Sequence, residues 1–175
     1  MHDLNKAQIM ELFQFDGAAR VISEAYVASS RGYVQTGDVV HLSFPESNGD
    51  CHVKSGHILH TDTYVIKIAS GFYDNPSKGL PSSNGMMLAF SATSGEPVAI
   101  LRDEGWLTDM RTGLGGAIAT KALANEDAEK VLIIGSGIQA RFQAKCLASL
   151  MPSRSFNFNT VSYTHLRAHE TMVDR

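Results

Sequence analysis

The sequence predicts an α/β protein: a mixed sheet with helices, then a strand, a glycine turn and a helix. Three observations carry that prediction. Short strand-like runs separated by turn signals fill the stretch from Val39 to Arg102. The all-apolar run Val131-Leu132-Ile133-Ile134 leads straight into Gly135-Ser136-Gly137-Ile138-Gln139-Ala140. Helical patterns open the chain and flank that run on both sides. Composition agrees with a folded domain. The chain has 175 residues, 43% hydrophobic and 19% charged, an ordinary globular balance. Domains average roughly 150 residues, so the length fits about one. A net charge of −3, from 15 Lys+Arg against 18 Asp+Glu, argues against nucleic acid or an acidic membrane as partner. No apolar run approaches the roughly 20 residues of a membrane helix. The N-terminal MHDLNKAQIMELF lacks the pattern of a signal peptide. Cys51 and Cys146 cannot build a disulfide framework, and neither Cys nor His shows metal-ligand spacing. No metal site is therefore expected, and the cysteines read as reduced thiols of a cytoplasmic protein.

Each element has its own signal. Ile9, Leu12 and Phe13 fall at helical spacing between Asn5 and Phe13. Asp16 is the expected cap of a second helix, Gly17 to Ser30, with Val21, Ile22, Ala25 and Tyr26 on one stripe. Gly32 ends it. Val39 to Phe44 is a strand, Asn48-Gly49 a hairpin turn, and Cys51 to Lys54 the returning strand. Tyr64 to Ala69 is a strand with Lys67 set into an apolar run. From pattern alone Lys67 is either an edge-strand lysine with its head in water or a cation facing a cleft. Gly79 to Gly85 is a loop by composition, either a simple turn or hydroxyls and amides lining a site. Met86 to Ala92 and Pro97 to Arg102 flank a second hairpin at Thr93-Ser94-Gly95-Glu96. Thr108 is the expected cap of a helix running to about Ala124. Within it, Gly113, Gly115 and Gly116 each cost about 1 kcal/mol relative to Ala, which points to close approach of a ligand or another backbone. Arg111 is expected in that helix's first turn, where its charge opposes the macrodipole and hints at a nearby anion. Val131 to Ile134 has the composition of a parallel strand buried on both faces.

The turn Gly135-Ser136-Gly137-Ile138-Gln139-Ala140 fits the G-x-G-x-x-G/A pattern of dinucleotide binding. Gly135 permits the tight turn, and Gly137 lets backbone reach a pyrophosphate. Ala140 allows close helix–strand packing, and the helix N-terminus receives the negative charge. The pattern alone is weak; its place between a strand and a helix is the confirming context.

Two stretches resemble the ornithine cyclodeaminase/mu-crystallin family: Tyr64 to Ala124, which contains LTDMRTG, and Val131 to Gln143, which contains GSGIQA. The resemblance covers roughly residues 1 to 160. It implies a homodimer whose subunit has a substrate and dimerisation domain and a Rossmann domain. The expected boundaries are 1–118 for the first, 119–160 for the start of the second, and 161–175 for a non-native tail. It implies an NAD-dependent enzyme converting a small amino acid such as ornithine to a cyclic imino acid (proline) with ammonia release. On the same scaffold the alternatives are an imino-acid reductase, an amino-acid dehydrogenase, or a non-catalytic binding protein. By position, Lys67 and Arg111 match the family's substrate-carboxylate contacts. Ser83, Arg111, Thr112, Gly135, Gly137, Ile138 and Gln139 match its cofactor contacts. Many relatives have an Arg near Val39 and an acidic residue near Val53; this chain has neither, and Lys54 stands beside the acidic position. Lys54 either takes the missing arginine's role or is a solvated hairpin residue. The change counts against ornithine as substrate.

Past Val131 only the first βα unit and the start of a second strand, Phe156 to Val161, are expected. The acidic residue that reads the ribose would fall near Thr160, where none stands, so the NAD that the resemblance implies is not separated from NADP. The family's catalytic Asp would lie farther on. Ser162 to Thr171, SYTHLRAHET, resembles translated adapter sequence. The expectation is a fragment with poor solubility and no turnover.

Overall fold

A computed structural model describes residues 1–152 and 155–159; the tail read from Ser162 to Thr171 lies outside them. The chain divides into two compact units, Met1–Thr108 and a second that begins at Asp109.

The first unit is a seven-stranded mixed sheet with two helices. Strand β1 (His2–Asn5) is followed by α1 (Lys6–Leu12) and α2 (Phe15–Ser30). Strands β2 (Val34–Thr36), β3 (Val40–Phe44), β4 (Gly49–Ile58), β5 (Thr63–Phe72), β6 (Ser83–Ser91) and β7 (Pro97–Arg102) complete it. The order is β1-β7-β6-β5-β4-β2, with β3 also on β4. Only β1 pairs parallel, on β7.

Local chemistry explains the boundaries. Asn5 caps α1 through a reciprocal pair of bonds: its Oδ1 accepts from Gln8 N–H, and Gln8 Oε1 accepts from Asn5 N–H. Helix α2 starts two residues before the expected Gly17, with Gln14 as its cap residue, so Asp16 lies inside the first turn and complements the helix dipole instead of capping. Of the stripe expected to pack, Val21 and Tyr26 are more than half exposed; Ala19 is the buried residue of α2. Gly32, at φ +77, ends the helix as expected. The first hairpin turns at Asn48, which adopts φ +45. Phe44 and Phe72 stack at 5.6 Å from strands on either side of β4. Gly49 sits between them, and a side chain there would strike the Phe72 ring.

Sheet pairing extends strands beyond their sequence signals. The Gly79 to Gly85 loop shortens, because Ser83, Asn84 and Gly85 join β6 opposite Gly71, Ser70 and Ala69. Gly85 fits there because a Cβ would come within 2.5 Å of the Ile68 carbonyl oxygen. Strand β1 carries no pattern of its own and forms through long-range pairing with β7.

Helix α3 (Trp106–Leu123) starts at Trp106, two residues before the expected cap Thr108. Asp103, 1% exposed, accepts from Leu107 N–H at 2.8 Å and anchors that start. In the second unit, β8 (Lys130–Ile134), α4 (Ile138–Leu150) and β9 (Ser155–Asn159) form a βαβ crossover with β8 and β9 parallel. The expected two-sided burial of β8 is not seen. Ile133 is 9% exposed, but Leu132 and Ile134 are each 61% exposed. One crossover helix covers one face of a two-stranded sheet, which leaves the other open among the described residues.

Candidate active site

In the first unit, Lys67 lies in β5, an interior strand paired with β4 on one side and β6 on the other. The edge-strand reading of Lys67 therefore fails; the residue is half-buried. The register sets Lys54 directly opposite Lys67, on the same sheet face. Like charges directly opposite one another destabilise an antiparallel pair. Ser83 shares that face, because Gly71 opposite it is four residues from Lys67 along β5. At about 3.3 Å per residue that is roughly 13 Å along the strand. The hairpin register that pairs the two lysines has no local signal in the sequence.

In the second unit, the turn after β8 has the geometry its glycines suggest. Gly135 adopts φ +117, a conformation that excludes a side chain for conformational reasons. Gly137 is different. It caps α4 with φ −69 and ψ 179, values any residue adopts, and a Cβ built on it meets nothing within 4 Å. Nothing among the described residues requires a glycine there. No side chain caps α4, so the first-turn N–H groups of Ile138, Gln139 and Ala140 lack a capping acceptor. Backbone amides at a helix start, beside open space that a Cβ would fill, suit the pyrophosphate of a dinucleotide.

Gln139 reaches away from the turn. Its Nε2 donates to Asp109 Oδ1 at 2.7 Å, in the first turn of α3, while its Oε1 is buried without a partner. The amide orientation follows from the carboxylate, which can only accept. Asp109 is 8% exposed. The signal for this pair, a polar residue on each of two helices, does not stand out in sequence. Gln143 Nε2 donates to the Thr112 carbonyl at 3.3 Å, so the backbone of Thr112 is tied to α4. Gly113 lets α4 approach: a Cβ there would stand 2.9 Å from the carbonyl carbon and oxygen of Phe142 and 3.0 Å from Cys146 Sγ. The α3 glycines thus serve approach to another backbone at Gly113 and to the Gln143 side chain at Gly116. Cys146 is fully buried with its thiol toward Met110 Sδ at 3.9 Å. Burial pushes that thiol's pKa up, and the neighbouring Lys145 ammonium opposes the shift. Arg111 is the sixth residue of α3, beyond its first turn, and is exposed. Its charge thus lies past the turn in which the helix dipole opposes a cation, because the helix begins at Trp106.

The profile of the ornithine cyclodeaminase/mu-crystallin family matches residues 3–171, and the chain belongs to that family. Among its relatives is an uncharacterized cyclodeaminase of Sinorhizobium fredii, 37% identical over 156 residues, which are 88% of this chain and 47% of the relative. A solved archaeal alanine dehydrogenase dimer with bound NAD is similar at a TM-score of 0.81 and 26% identity, over 99% of this chain and 53% of that one. The Thermococcus litoralis Δ1-pyrroline-2-carboxylate reductase, solved with NADH and L-proline, shares the fold at a TM-score of 0.81 and 24% identity, over 96% and 52%. The chain spans about half the length of the curated relatives it matches.

Proposed function

We propose that the protein interconverts a small α-amino acid and its imine with NAD(H), and that the chain supplies its carboxylate and pyrophosphate contacts. Gly137 is the observation that carries the nucleotide part. Neither its backbone angles nor its neighbours need a glycine, so the requirement lies with what approaches it. The helix-start amides of Ile138 and Gln139 hold the pyrophosphate, with Gly135 making the turn and Ser83, Thr112 and Arg111 as further cofactor contacts. Bound NAD supplies the hydride chemistry. Lys67 and Arg111 are the contacts for the substrate carboxylate, each worth about 1.5–3 kcal/mol as a charge-assisted hydrogen bond. Such contacts orient the α-carbon, which is their main contribution to rate. The resemblance to the family further suggests a homodimer.

Among the family's reactions, the lysine pair favours an imine reductase or amino-acid dehydrogenase over ornithine cyclodeamination. A diamino substrate brings a second ammonium, and Lys54 stands directly opposite Lys67 on the same sheet face. Repulsion between two cations 4 Å apart costs about 1 kcal/mol in water and about 4 kcal/mol near a protein surface. The test is a paired assay on the complete protein. NADH consumption with a cyclic or open-chain imino acid, and no ammonia from ornithine, is the expected result. Ammonia from ornithine with no net change in NADH would replace it with cyclodeamination.

A further inference from the structure

We propose that His41, Asp50 and His52 form a binding site for a divalent transition-metal ion of the Zn²⁺ type on the β3–β4 hairpin. None of the three is among the residues assigned to nucleotide and carboxylate. Strands β3 and β4 pair antiparallel with His41 opposite His52 and Ser43 opposite Asp50. Alternation along the two strands puts both imidazoles and the carboxylate on one face. One ligand atom from each of the three lies within 4.8 Å of the others. Asp50 Oδ1 is already 3.7 Å from His52 Nδ1. Donors at about 2.1 Å from one ion stand at most about 4.2 Å apart, so small side-chain rotations close the set. The two imidazoles stack at 4.5 Å with 19° between their planes, which keeps their nitrogens side by side.

The surroundings support the carboxylate. Tyr73 O–H donates to Asp50 Oδ2 at 3.2 Å, which fixes the group and leaves Oδ1 toward the histidines. Such outer partners orient ligands in metal sites. Gly71 lies opposite Asp50, and a Cβ there would crowd Tyr73 Oη at 3.1 Å and Asp50 Oδ1 at 3.3 Å. The side-chain-free position keeps this arrangement open. Two imidazoles and one carboxylate suit Zn²⁺, Co²⁺, Ni²⁺ or Cu²⁺, whereas Mg²⁺ and Ca²⁺ require oxygen ligands. Three protein donors on a partly exposed face leave the remaining positions to water. Lys54 shares the face two residues past His52, but it is exposed, and solvent screens its charge. A bound ion would tie the edge strand β3 to β4. The linear spacing hides the set, because only the turn at Asn48 folds position 41 onto position 52.

The test titrates the untagged 175-residue chain, freed of metal with a chelator, with Co²⁺ followed by its visible absorption, then displaces Co²⁺ with Zn²⁺. One ion per chain is expected, with a thermal midpoint raised by Zn²⁺ and unmoved by Mg²⁺. His41→Gln and His52→Gln should each weaken Zn²⁺ at least about 100-fold, and Tyr73→Phe about tenfold. A His57→Gln/His60→Gln double variant should bind as the parent does; circular dichroism confirms that each variant is folded. The proposal is overturned if no ion binds, if both His41→Gln and His52→Gln bind like the parent, or if the double variant alone loses binding.

Discussion

Replacing Gly113 by alanine opposes two effects of comparable size, and the structure decides the sign. At an open helical position Gly→Ala stabilises by about 1 kcal/mol, because alanine loses less backbone entropy. At Gly113 the added methyl would stand 2.9 Å from the Phe142 carbonyl carbon and oxygen and 3.0 Å from Cys146 Sγ. Two of those three neighbours are backbone of α4, so no side-chain rotation relieves the contact. Overpacking of this kind costs about 1–3 kcal/mol, and the rigidity of the neighbours places Gly113 at the upper end. The expected net effect of Gly113→Ala is a loss of about 1–2 kcal/mol. For a chain of this length that lowers the melting temperature by roughly 2–8 °C. Gly116→Ala is the control. Its methyl would meet only the far end of Gln143, which can rotate at the cost of its 3.3 Å bond to the Thr112 carbonyl. Its net change should stay within about 0.5 kcal/mol, propensity offsetting the lost bond. Urea unfolding followed by far-ultraviolet circular dichroism measures both. A Gly113→Ala midpoint above the parent's would refute the packing argument.

Other expectations follow from single groups. Cys146 should resist a thiol reagent in the folded chain at neutral pH while the half-exposed Cys51 reacts, because burial removes access and raises the Cys146 pKa. Two equally fast thiols would contradict that. The same shift predicts a pH dependence: with the native pKa raised, only the unfolded chain ionises as pH climbs through the ordinary thiol range. Stability from this group is thus complete below that range and declines above it, and Cys146→Ala should remove that part of the alkaline slope. Asp103→Ala removes the acceptor for Leu107 N–H and should cost about 1–2 kcal/mol in urea unfolding, whereas a change below about 0.3 kcal/mol would deny it the anchoring role. In the complete protein, Arg111→Ala should lower kcat/KM about 10–150-fold, the equivalent of about 1.5–3 kcal/mol, and unchanged kinetics would remove Arg111 from the site.

What was legible in the sequence was local. The glycine at position 32, the hairpin turns near Asn48 and Gly95, and the strand–turn–helix around Gly135 each depend on neighbours close in the chain. What was not legible depends on pairing over distance. Strand β1 exists because β7 offers a parallel edge, and Lys54 faces Lys67 because of a register that composition does not encode. Helix α2 starts two residues and α3 three residues before the starts that Asp16 and Thr108, both good capping residues, suggest. Helix α3 is anchored instead by the carboxylate of Asp103, three residues before its first helical residue. That shift moved Arg111 out of the first turn and removed one argument for an anion near it. The turn after β8 gained in precision, since Gly135 and Gly137 are glycines for different reasons.

The most direct measurement exploits that difference. Gly137→Val adds a side chain where the backbone is permissive and the nearest space is open, so circular dichroism should find the folded chain unchanged. Saturation-transfer NMR with NAD⁺, which detects weak binding, then compares the parent with the variant. Transfer to the ribose and adenine protons is expected with the parent chain and none with Gly137→Val. Equal transfer to both chains, or none to the parent, would contradict it.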